Sequence, residues 1–152
     1  MQTTVPLLSL AIWVPVVVGV LVLVTGNDRN AGLARGLALL GSLLGFLVTI
    51  PLLTQFDHAT SAMQFVERSV WIERFGVYYH LGVDGISLFL LVLTGVLFPL
   101  VIAGVDPHHD ERPYLAWLLV LEAGVMGSFV SLDLFLFFVF FEIVLVPMYF
   151  LI

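Results

Sequence analysis

The sequence predicts an all-α protein, a polytopic membrane helix bundle of about five transmembrane helices, on three observations. Hydrophobic residues make up 61% of the 152 and charged residues only 11%, against roughly 25% charged in an ordinary soluble domain. Mean hydropathy is +1.16. The apolar residues also gather into runs at residues 7–24, 33–53, 86–105, 114–130 and 134–152, each close to the ~20 residues that carry a helix across the hydrocarbon core. Residues 1–152 read as a single membrane domain in a lipid bilayer.

The first run holds Pro15 and Gly19 but no charge. It reads as a span and not as a cleaved leader, since no positive charge precedes it and no small-residue cleavage site follows it. GNDRN then reads as a polar turn. The second run carries Gly32 and Gly36, then Gly41 and Gly45, each pair four apart, a spacing that lets helices approach closely. Residues 54–84 hold Asp57, His58, Glu67, Arg68, Glu73, Arg74 and His80 and are too polar to span. Within this extramembrane loop SVWI and VYYHL flank Glu73-Arg74-Phe75-Gly76, which predicts a short hairpin between helices 2 and 3. Asp84 stands before the third run as a helix N-cap, its carboxylate accepting otherwise unpartnered N–H groups, and Pro99 should kink that helix. DPHHDERP, residues 106–113, reads as a solvated loop, because two adjacent histidines lack the spacing that puts both on one metal.

The fourth run has Glu122 near its centre, beside small-residue pairs Ala123/Gly127 and Gly124/Ser128 that predict close contact with a neighbouring helix. Ser131-Leu132-Asp133 allows only a tight turn, with Asp133 as the cap of the fifth helix. That helix carries Glu142 at its middle and Pro147 five positions on. Glu122 and Glu142 each lie about nine residues into their runs, near the midplane, where a charge costs roughly 2.5–3.5 kcal/mol on insertion scales. Each glutamate is then either neutral and hydrogen-bonded to a backbone carbonyl, or faces protein or water on a proton path. The membrane runs offer no cation to pair with them, since Arg35 sits at a helix end where it can snorkel.

Several functions are excluded. The chain has no lysine and five scattered arginines, which removes the basis for nucleic-acid binding. With no cysteine there is no disulfide framework and no iron–sulfur cluster here, and no G-x-G-x-x-G follows a strand. Arg29, Arg35 and Arg112 fall on one side and Arg68 and Arg74 on the other, so arginine count puts the N-terminus outside.

VWIERFGVYYHLGVDGISL, LEAGVMGSFVSLDLFLFF and FFEIVLVPMYFLI closely resemble the N-terminal part of the antiporter-like proton-pumping subunits of respiratory complex I, the NADH:quinone oxidoreductase. The resemblance implies a bacterial inner-membrane subunit, with Glu142 as the midmembrane glutamate that pairs with a lysine on a later, broken helix and Glu122 as a secondary polar site. It implies two inverted five-helix repeats after three introductory helices, of which this sequence holds the introductory three and two more, so the chain looks truncated. NADH, FMN, iron–sulfur clusters and quinone would belong to other subunits, with no cofactor, metal or catalytic residue in this chain. The expected partners are the other membrane subunits, especially neighbouring antiporter-like ones. Subunits of multi-subunit cation/proton antiporters and of membrane-bound hydrogenase complexes are similar in this region.

Overall fold

A computed structural model describes residues 7–25, 31–56, 63–104 and 111–151. Helices α1 (Leu7–Thr25) and α2 (Ala31–Gln55) precede strands β1 (Gln64–Ile72) and β2 (Val77–Val83), and α3 (Gly85–Gly104), α4 (Glu111–Val130) and α5 (Leu134–Leu151) follow. All five helices are long and apolar enough to cross a membrane. The turn expected at GNDRN, the pair Asp57 and His58, and residues 106–110 of the expected polar loop lie outside the described residues. That loop is shorter than the composition suggested: α4 already begins at Glu111. Pro113 falls in its first turn, where the missing N–H would have had no partner anyway.

α4 is the hub. It packs against α1, α2, α3 and α5, while α5 packs on α4 and β2. The reason is the small-residue composition of α4. A Cβ on Gly124 would lie 2.9 Å from Val144 Cγ2, and one on Gly127 would lie 2.4 Å from the Phe140 ring, so α5 rests directly on the α4 backbone. On the other side of the bundle a Cβ on Gly41 would meet Val18 at 2.6 Å, and one on Gly95 the Phe46 backbone at 3.2 Å. Gly36, in the first of the two α2 pairs, has nothing within 4 Å, so spacing alone did not separate contact glycines from open ones. Pro15, Pro99 and Pro147 are buried inside their helices, the setting in which neighbouring helices let a membrane helix tolerate the carbonyl that a proline frees.

β1 and β2 form a two-stranded antiparallel sheet, with Arg68 opposite His80 and Val70 opposite Tyr78. A 3-10 turn, Glu73–Phe75, joins them and ends on Gly76, whose φ of 65° favours glycine. The sheet is fastened to the bundle at two places. Glu67 caps α1 from outside that helix: its carboxylate accepts the Ser9 N–H at 3.0 Å and also the Ser9 hydroxyl, and Ser9 Oγ lies 2.8 Å from the Tyr79 hydroxyl. Trp13 Nε1 donates to the same Tyr79 hydroxyl at 2.9 Å. At the second place the Leu132 N–H donates to the His80 carbonyl at 2.8 Å, and Leu81 bridges to Ser131. The start of α1, the sheet and the α4–α5 turn therefore share one end of the bundle.

Candidate functional site

Two apolar clusters fill the bundle. Leu8, Ile12, Leu52, Ala123 and Met126 belong to the cluster on the sheet side, and Val22, Ala38, Leu115 and Leu119 to the cluster at the other end. Between these layers, at the level of Pro15 on α1, Ser42 and Gly45 on α2, and Glu122 on α4, the packing turns polar. Glu122 is 0% exposed, as is Ser42. A Cβ on Gly45 would stand 3.1 Å from Glu122 Oε1 and 3.6 Å from Pro15 Cγ, so the carboxyl occupies the room that the absent side chain leaves. Ser42 lies three residues before Gly45, on the same side of α2. Yet Ser42 Oγ, Glu122 Oε1 and Glu122 Oε2 are the buried side-chain polar atoms without a hydrogen-bond partner among the described residues.

Glu142 stands in a different setting. Its side chain is exposed on α5, and Phe135, Phe138, Leu145, Val146 and Tyr149, which share its helical face, are exposed as well. The two glutamates, at similar depth along their helices, are not brought together. Glu122 points toward α1 and α2, whereas α5 lies against the Gly124 and Gly127 side of α4. Facing direction, which a 3.6-residue period alone cannot fix, separates them.

The two aspartates hold helix starts. Asp84 Oδ1 accepts the Ser87 N–H at 2.8 Å, and that bond holds its carboxyl below the usual 3.8. Asp133 Oδ1 accepts the N–H of Phe135 at 2.9 Å and of Leu136 at 3.3 Å, while Oδ2 accepts the Tyr78 N–H from β2 at 3.1 Å. The Tyr78 bond is the largest of the causes that lower the Asp133 pKa from 3.8.

Sequence reasoning singled out neither Ser42 nor the Ser9–Glu67 pair. Ser42 had a faint signal, since it sits between the close-approach glycines Gly41 and Gly45. Ser9 and Glu67 are 58 positions apart, and nothing local joins them. No group of three or more His, Cys, Asp or Glu able to hold a metal occurs among the described residues.

No family model matches the chain. Individual relatives do. NADH-quinone oxidoreductase subunit M of Rickettsia prowazekii is 38% identical over 150 residues, covering 95% of this chain and 30% of that protein. F(420)H(2) dehydrogenase subunit M of Methanosarcina mazei is 37% identical over 149 residues, covering 97% of this chain and 30% of its own length. Among solved structures, a chain of respiratory complex I from Thermus thermophilus with bound NADH superposes with a TM-score of 0.74 at 30% identity, covering 92% of this chain and 27% of that one. The chain thus spans about 30% of the length of the curated relatives it matches. Five apolar helices in that shared arrangement make it an integral membrane protein, and it belongs to the family of NADH-quinone oxidoreductase subunit M, whose N-terminal part it matches.

Proposed function

We propose that these residues form the N-terminal helices of a proton-translocating subunit of an NADH:quinone oxidoreductase, with Glu142 and Glu122 as its midmembrane proton-carrying groups. The observation that carries the reading is Glu142: an ionisable side chain exposed at the middle of an apolar span, with neither ion pair nor hydrogen bond among the described residues. A charge there costs roughly 2.5–3.5 kcal/mol on insertion scales, which favours cover by polar or charged polypeptide over contact with lipid. In this reading the covering group is a cation that the described spans do not place beside it: Arg35 stands near the start of α2, Arg68 in β1, Arg74 in the 3-10 turn and Arg112 at the start of α4. A carboxylate and a cation in contact at low dielectric tune one another's proton affinity. Redox cofactors and quinone are assigned to other subunits, and neighbouring antiporter-like subunits are the proposed partners.

Glu142→Gln in the assembled enzyme is expected to lower quinone reduction and proton pumping together by on the order of tenfold, the effect of about 1.4 kcal/mol on a transfer barrier. Wild-type levels of both would sink the assignment.

A second reading is supported by the Methanosarcina mazei relative, whose name attaches a like subunit to F(420)H(2) oxidation: the same membrane chemistry coupled to a different donor module. Subunits of cation/proton antiporters and of membrane-bound hydrogenases belong to the same class of alternatives. Neighbouring genes decide among them, flavin-bearing and quinone-reducing subunits favouring the first reading.

The proposed location is the bacterial inner membrane with the N-terminus outside, on the three-to-two arginine count. The sheet then lies outside with it. The chain has no cysteine, so Phe75→Cys, at a residue 75% exposed beside Gly76, introduces a single thiol. A membrane-impermeant maleimide added to whole spheroplasts is expected to label it. Labelling only after the membrane is broken would reverse the orientation.

A further inference from the structure

The buried hydroxyls of this bundle divide into two kinds. Thr49 donates to the Phe46 carbonyl at 2.6 Å and Thr94 to the Leu90 carbonyl at 2.8 Å, while the partly buried Ser128 donates to the Gly124 carbonyl at 2.9 Å and Ser131 to the Gly127 carbonyl at 2.6 Å. Each closes back on the helix it stands in or, for Ser131, directly follows, the usual resting place for a serine or threonine there. Ser42 does not. Its hydroxyl is buried and free of the α2 backbone, and Ser42 stands one helical turn from Gly45, whose missing side chain makes room for the Glu122 carboxyl, the buried carboxyl that also lacks a partner among the described residues. Two orphaned groups from different helices, enclosed between apolar layers, have only each other or a shared water to bond.

We infer that Ser42 is a positioning residue for Glu122: its hydroxyl hydrogen-bonds the Glu122 carboxyl, directly or through one water, and Gly45 keeps open the space in which they meet. The inference rests on the proposed proton-carrying role of Glu122, for which it supplies the group that orients the carboxyl. Gly45 follows from the geometry. A methyl there would stand 3.1 Å from Oε1, close enough to displace the end of a flexible side chain but not to disrupt backbone packing. The helix around it would remain, and only the carboxyl would turn.

Infrared spectra of the protein purified with its native assembly test this. The bands that disappear in Glu122→Gln belong to Glu122, and their frequency reports hydrogen bonding to its carboxyl. Ser42→Ala is expected to move those bands in the direction of a lost hydrogen bond, and Ser42→Thr, which restores a hydroxyl, to move them back. Gly45→Ala is expected to shift them with the fold intact. Proton pumping should slow roughly fivefold in Ser42→Ala, the worth of one neutral hydrogen bond, and recover in Ser42→Thr. Glu122 bands at the same frequency in wild type and Ser42→Ala would overturn the pairing, even if Glu122→Gln abolished pumping. If the bands move but Glu122→Gln pumps normally, the pairing stands and the proton-carrying role of Glu122 falls.

Discussion

Gly127→Val is expected to lower the unfolding free energy of the protein in detergent or bilayer by about 3 kcal/mol, the upper end of the overpacking range. The hydrogen at this position faces the Phe140 ring so closely that an added Cβ would lie 2.4–2.6 Å from three of its carbons. Phe140 is itself buried and belongs to the sheet-side core with Ala123, Met126 and Leu136, so the ring cannot move without disturbing that cluster. Valine adds two methyls beyond the Cβ, and α5 must lift from α4. Gly127→Ala should cost less, because the propensity gain of about 1 kcal/mol over glycine offsets part of the clash. Gly36→Ala, at a position with nothing within 4 Å, should be neutral or stabilising by up to about 1 kcal/mol. Equal effects at positions 36 and 127, measured by reversible denaturation, would mean that α5 does not rest on the α4 backbone.

The contrast between those glycines marks where sequence reading stops. The five spans were legible because twenty apolar residues in a row have few alternatives to a membrane helix. The positions of Glu122 and Glu142 along their helices were legible for the same reason. Which way each faces was not, since a helix apolar on all sides carries no stripe to orient it. Tertiary packing decides that Glu122 turns inward toward Gly45 and Glu142 outward. Ser42 was hidden more deeply. A serine in a helix ordinarily bonds its own backbone, and its freedom to meet Glu122 depends on α4 lying against α2 at that level. The Asp133 carboxylate was expected to serve its own helix, yet it also reaches a strand 55 positions earlier, a link invisible to local pattern.

That second link makes Asp133→Ala the other large effect. The carboxylate satisfies two N–H groups at the start of α5 and the Tyr78 N–H of β2, so its removal strips the helix cap and one link between the sheet and the α4–α5 turn together. A lost cap costs about 1 kcal/mol, and a hydrogen bond to a charged acceptor contributes about 1.5–3 kcal/mol. Partial exposure of Asp133 discounts the second figure through solvent screening, leaving an expected loss of about 2–3 kcal/mol. Amide exchange at Tyr78 should accelerate along with that at Phe135 and Leu136, because one side chain protects all three. The pH dependence has a definite sign. The folded-state pKa is lowered from 3.8, so the carboxylate's contribution is fully present above 3.8 and is lost as pH falls through the lower folded value. Asp84 is shifted the same way, so the wild-type acid transition sums both groups. Asp133→Asn keeps an acceptor oxygen but cannot titrate; it should retain part of the cap and show a shallower loss of stability below pH 3.8 than wild type. Protection of Tyr78 that survives Asp133→Ala would show that strand pairing alone holds the sheet, and that α5 and β2 are fastened independently.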